Sequence, residues 1–211
     1  MDKASKGISI IRKLRYLIPR HSLVTIYKSF IRSILEYADV IYDQPSNDSF
    51  SNKIESIQYN AALAITGAIR GTSKDKLYRE LGLEHLSSRR WFKRFCLFHK
   101  IYHKKSPNYL YQLIPQNHNR FYLRNQHLIP QIFCRTNNFS DSFFPTAIKE
   151  FNKLDYQISH NVSFQSFRKF LLKSIRPVPN SLFDANDPYG VKLLTRLRVG
   201  LSHLKYQKFR H

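Results

Sequence analysis

Residues 23–41, "LVTIYKSFIRSILEYADVI", decide the fold class. Leu23, Ile26, Tyr27, Phe30, Ile31, Ile34, Tyr37, Ala38 and Ile41 recur at helical spacing, so an α-helix gathers them into one continuous apolar stripe. Lys28, Arg32 and Glu36 fall off that stripe. Upstream, Ile8, Ile11, Leu14 and Ile18 repeat the pattern, and Pro19 closes that helix. Downstream, the loop "DQPSNDS" leads into a third helix with Ile54, Ile57, Ala61, Ala64 and Ile65 inward and Gly67 near its end. "GTSKDKLYRELG" reads as a short helix with Thr72 or Ser73 as N-cap and Gly82 just past its end. A fifth helix begins at the serines of "SSRRWFKRFCLFHKIYHKKS" and runs to about Lys105. Short connections favour antiparallel neighbours. The expectation is a mainly α protein that opens with a helical bundle.

The texture changes after Pro107. "SPNYLYQLIP" allows a helical turn or two. The polar stretch over 116–141 alternates at Phe121-Tyr122-Leu123 and at Ile129 to Phe133, and predicts an extended arm or short β-hairpin. Helices return with "FFPTAIKEFNKL", where Pro145 suits a first turn, and "SFQSFRKFLLKSI", capped by Ser163. A proline-bearing loop, "RPVPNSLFDAND", precedes a last helix capped by Asp187, with a stripe of Leu193 or Leu194, Leu197, Leu201 and Leu204. Four segments result: 1–70, 71–115, 116–141 and 142–211. The chain stops at His211 without a capping signal, which reads as truncation.

Charge is the strongest compositional signal. Lysine and arginine total 35 against 14 acids, a formal +21. Such a surplus repels itself and attracts polyphosphate through counterion release, so nucleic acid is the expected partner. The hydrophobic fraction of 42% supports a packed core. Cys96 and Cys134 sit far apart, without the spacing of a zinc site. Charges interrupt the apolar positions near the N-terminus, which excludes a signal-peptide pattern. The longest uncharged run, Ser56 to Ile69, falls short of the roughly 20 residues that span a bilayer. An intracellular protein of nucleus or cytoplasm, not secreted and without a membrane partner, is expected.

No residue pattern speaks for catalysis, a cofactor or a small-molecule substrate. Phosphate-binding glycine loops and Gly-x-Ser-x-Gly are missing from the sequence. Asp39 lacks an adjacent carboxylate, since position 40 is valine, so it reads as a surface acid at a helix end and not as a metal ligand. His99 and His103 are four apart among lysines, which suits surface or phosphate-facing imidazoles better than a metal. The richest cluster is on the fifth helix. Arg89, Arg90, Lys93, Arg94, Lys100, Lys104 and Lys105 are candidate phosphate contacts, helped at the serine-capped start by free N–H groups. Trp91, Phe95, Phe98 and Tyr102 share a face that either stacks on bases or belongs to the core. Further candidates are Arg12, Lys13 and Arg15 by the first helix, and Arg196 and Arg198 on the last.

The order of motifs resembles a known family. "LRYLIPRHSLVTIYKSFIRSILEYADVIYD", the Ile57-Gln58 and Thr66-Gly67-Ala68 helix, the Leu81-Gly82-Leu83 to Arg89-Arg90 join, Ser142-Phe143-Phe144-Pro145 and Leu201-Ser202-His203-Leu204 with Lys208-Phe209-Arg210-His211 follow one another. This looks like the region after the palm in jockey-like non-LTR retrotransposon (LINE-type) reverse transcriptases. The chain departs from the family's Gly-x-x-x-Trp at Ala38 to Tyr42 and from Trp-Asn-x-Leu-Pro at Phe151 to Asp155, which marks a diverged copy. The resemblance implies a thumb-like helical bundle followed by a helical connector, without the palm that carries catalysis. It implies contact with template–primer duplex or element RNA, and with target DNA, through backbone. The alternatives are a remnant of a truncated mobile element with no activity, and a stand-alone basic RNA-binding protein.

Overall fold

The computed structural model describes residues 2–116, 128–154 and 162–175. The protein is mainly helical, and among the described residues there is no strand. No described helix is long and apolar enough to cross a membrane. The chain divides into two compact units that interleave along the sequence. Unit 1 contains residues 2–37 and 52–86, and unit 2 contains residues 38–51 and 87–175.

In unit 1, α1 (Asp2–Leu14) packs on α2 (Arg20–Ile26), which continues through a π-turn (Tyr27–Ile31) into α3 (Arg32–Leu35). The π-turn has a sequence cause. Leu23, Tyr27, Ile31 and Leu35 are all buried and lie four residues apart. In a straight α-helix each such step rotates the side chain about 40° further, since a turn takes 3.6 residues. One wider turn cancels the drift and keeps all four on the core. The expected continuous stripe is thereby corrected. Phe30 is 69%, Tyr37 80% and Ile41 81% exposed, because the rephased helix turns the first outward and the chain leaves the helix before the other two. Ala38 takes a left-handed backbone, φ 51°, between α3 and α4 (Asp39–Tyr42).

Gly7 marks the tightest approach in this bundle. A Cβ there would lie 2.8 Å from Ile31 Cγ1 and 3.1 Å from Cδ1, and Ile31 is 1% exposed. Glycine to alanine inside a helix normally gains roughly 0.5–1 kcal/mol. Gly7→Ala is instead expected to destabilise by about 1–3 kcal/mol, the range for overpacking. A raised thermal midpoint for this variant would contradict the packing. The rest of the unit 1 core comes from α5 (Asp48–Thr66), with Ile54, Ile57, Ala61 and Ala64, and from α6 (Lys74–Leu81), with Leu77 and Tyr78. Within it, Tyr27 Oη donates to Gln58 Oε1 at 2.6 Å, and Gln58 Nε2 donates to the Glu84 carbonyl at 2.8 Å. Gly82, φ 59°, ends α6 as its sequence suggests, with the Leu83 amide reaching the Tyr78 carbonyl at 2.9 Å.

In unit 2, α7 (Leu86–Tyr102) supplies Phe95, Phe98 and Ile101 to a core shared with α10 (Phe143–Phe151) and α11 (Phe164–Ile175). Phe98 and Phe151 meet edge-on at 5.0 Å, and Phe167 and Leu171 are fully buried. The aromatic face of α7 is thus core at Phe95 and Phe98, while Trp91 and Tyr102 are half-buried at its margin. His99 corrects the surface expectation as well. It is 1% exposed and stacks on Phe167 at 4.3 Å. Of the expected arm, residues 117–127 lie outside the described residues. Around Ile129, both the backbone N–H and C=O are bonded by the Asn152 side chain, at 3.0 and 2.8 Å. Asn108–Gln112 forms a short helix, α8, and Asn137–Ser140 a helical turn, α9, capped by the Thr136 hydroxyl. The last expected helix, beyond Ile175, also lies outside the described residues.

Candidate nucleic-acid interface

The basic run on α7 splits into two populations. Arg90 and Arg94 point inward, with side chains only 4% and 5% exposed. Asp43 lies between them: Arg90 Nε donates to one carboxylate oxygen at 2.8 Å and Arg94 Nη1 to the other at 2.6 Å. Glu150, on α10, receives Arg94 Nε and Nη2 in a two-pronged pair at 3.0 and 2.9 Å. Arg90 Nη2 also donates to Ser51 Oγ at 2.9 Å. These two arginines correct the expectation of a solvent-facing start to the helix. A planar fork matched to carboxylates is the geometry in which arginine charge tolerates burial.

Asp39 is corrected in the same way. It is 2% exposed, not a solvated surface acid, and its carboxylate holds Lys93 Nζ at 2.9 Å. The left-handed Ala38 precedes it and restarts the helix at Asp39. Lys93 retains partial exposure, and Arg89 is half-buried. Among the described residues no three His, Cys, Asp or Glu side chains converge as a metal site would require.

The start of α7 is occupied rather than open. The Leu86 amide donates to Glu55 Oε2 at 3.1 Å. Glu55 Oε1 lies 3.5 Å from His85 Nδ1, and Asp75 Oδ1 lies 2.8 Å from His85 Nε2. Burial alone would raise the Glu55 carboxyl, but bonds from His85 and Tyr78, the His85 charge and the Leu86 amide together hold it below the usual value of 4.5. The bond to Glu55, aided by Asp75 and opposed by burial, raises His85 above 6.5. The His85 contribution is complete below pH 6.5 and lost as pH rises through the elevated folded value. The Glu55 contribution is complete above pH 4.5 and lost as pH falls through the depressed folded value. Stability from this cluster is therefore greatest between pH 4.5 and 6.5. The urea midpoint is expected to fall from pH 6 to pH 8, and His85→Gln to lessen that fall. An unchanged slope in the variant would contradict the assignment.

The outward population gathers at the other end of α7. Lys100, Lys104 and Lys105 are exposed. Lys104 closes the helix in a left-handed conformation, φ 54°, and the Lys105 amide reaches the Lys100 carbonyl at 2.8 Å. This is a Schellman closure with lysine where glycine is usual, and it fixes where three cations leave the helix. The ammonium of Lys100 sits 4.7 Å over the Phe164 ring, and that of Lys104 4.7 Å over Tyr111. On α11, Arg168, Lys169 and Lys173 are exposed. Lys100 and Arg168 flank one thiol, Cys96: burial pushes its pKa up to about 11 while both cations pull it down. The seam of α7 and α11 thus carries positive charge from both helices. A helix C-terminus itself presents about half a negative charge, which three lysines outweigh.

In unit 1, Arg12 and Lys13 are exposed in the last turn of α1. Arg15 is half-buried; its guanidinium lies 4.5 Å from the Tyr16 ring centre and donates to the Tyr16 hydroxyl. Arg196 and Arg198 lie outside the described residues. The sequence reading missed Arg168 as a neighbour of Lys100. The clue available was the "FRKFLLK" pattern, in which Phe167 and Leu171, four apart, turn inward and the cations turn outward. Comparison with family models, with curated proteins and with solved structures gives no match.

Proposed function

We propose that this chain binds the phosphate backbone of nucleic acid without catalysing its synthesis, as the thumb and post-palm region of a jockey-like non-LTR retrotransposon reverse transcriptase would. The supporting observation is how charge is sorted. Asp39, Asp43 and Glu150 are consumed by Lys93, Arg90 and Arg94, Glu55 and Asp75 by His85, and Glu36 and Glu84 by Arg32. The exposed lysines at the end of α7 and the cations of α11 are left to face solvent. Such a surface engages phosphates and carries little base information, which suits a template–primer duplex or element RNA in an intracellular setting. The family assignment rests on the motif order, and a stand-alone RNA-binding protein would share the same surface.

Fluorescence anisotropy with an RNA–DNA hybrid tests this reading. The logarithm of affinity should fall linearly with the logarithm of salt, by about 0.9 for each neutralised duplex phosphate. No primer extension is expected. A remnant without activity would show no binding at low salt by a chain that still melts cooperatively, and that result would refute the proposal.

A further inference from the structure

We infer that unit 2 holds a seat for one unpaired nucleobase, in the open cleft between the first turns of α7 and the Asp43-Gln44-Pro45 loop; this rests on the nucleic-acid reading and deepens it. The cleft measures ≈ 330 Å³, at the low end of the roughly 300–1,000 Å³ typical of small-ligand sites. Gln44, Ser87, Ser88 and Trp91 line it, together with the Asp43–Arg90 pair.

What the cleft offers decides its ligand. The guanidinium charges of Arg90 and Arg94 are already matched by Asp43 and Glu150. A phosphate entering here would sit beside the Asp43 carboxylate, and the Leu86 amide at the helix start is already given to Glu55. An anion therefore gains little. The remaining groups are neutral. Asn47 Nδ2 donates to Gln44 Oε1 at 3.1 Å, so the Gln44 amide turns its NH2 to other use. Ser87 is exposed and Ser88 half-buried, and both line the cleft. Trp91 is half-buried, leans on Phe95 at 4.5 Å and lines the cleft. A flat heterocycle with both donors and acceptors matches an indole beside hydroxyl and amide groups. The exposed lysines would hold the strand's backbone while the cleft takes one base.

The chain has a single tryptophan, Trp91, so its emission reports on this cleft alone. The full chain is titrated with an oligothymidylate of about ten nucleotides, within the range of single-strand site sizes, and with an abasic strand of equal length. The seat predicts quenching of Trp91 by the base-bearing strand only, and about 5- to 150-fold tighter binding of that strand, the span expected for one stacked base. Ser88→Phe, which fills the cleft from a half-buried position, should abolish the difference, and Gln44→Ala, which removes a donor, should lessen it. Equal affinity of the two strands would overturn the seat while leaving backbone binding intact. Failure of both strands to bind would overturn the nucleic-acid reading and the seat together.

Discussion

Asp43→Ala is expected to lower the stability of the protein by about 3–5 kcal/mol, the range for removing one partner of a buried ion pair. The carboxylate bridges two guanidinium groups whose side chains are almost fully buried. Without it, Arg90 keeps only the Ser51 hydroxyl among its stated partners, and Arg94 keeps Glu150. Two positive charges, each on a side chain about 5% exposed or less, would then share one carboxylate. Asp43→Asn, which keeps the shape and an acceptor but not the charge, should cost less. Urea denaturation of both variants measures this. A loss within about 0.5 kcal/mol, the usual range for surface changes, would mean that Asp43 is a solvated acid and not the bridge between two buried arginines.

Reversing Lys100, Lys104 and Lys105 to glutamate is expected to weaken nucleic-acid binding by about 10²–10³-fold near 0.1 M salt. The size follows from counterion release. Each lost duplex phosphate contact flattens the log–log salt slope by about 0.9, so three change it by nearly 3 over the tenfold span up to 1 M. Folding should suffer far less. All three side chains are exposed, and glutamate near a helix C-terminus costs roughly 0.3–1 kcal/mol against the dipole. The glutamine versions, which remove charge without that penalty, should lie between. Retention of full affinity by the glutamate variant would move the contact surface elsewhere.

The helices were legible because their apolar spacing is local. Ile8 and Ile11, Ile54 and Ile57, and Phe95 and Phe98 all reach the core as their periods require. The π-turn was not legible, since Ile26, Phe30 and Ile34 offer a straight helix an equally apolar stripe, and only the shared core reveals Leu23, Tyr27, Ile31 and Leu35 as the buried set. Ala38 gave no warning either, because left-handed backbone is normally signalled by glycine or asparagine. The candidate site was half legible. Arg90 and Lys100 are both cations on one helix, yet Arg90 finds its carboxylate 47 positions away, and no local pattern announces such a partner. Burial of Asp39 and Asp43 follows from the same long-range pairing. What could be read was the excess: with 14 acids against 35 lysines and arginines, internal pairing had to leave cations over.

The decisive measurement compares two charge reversals of equal size. One variant carries Glu at Lys100, Lys104 and Lys105; the other carries Glu at Lys74, Lys76 and Arg79, which are also exposed. Both change net charge by the same amount, so a general attraction to polyanions would flatten the two salt slopes alike. A contact surface at the end of α7 predicts a loss of slope near 2.7 for the first variant, at about 0.9 per phosphate, and little change for the second. Identical slopes in the two variants would contradict it.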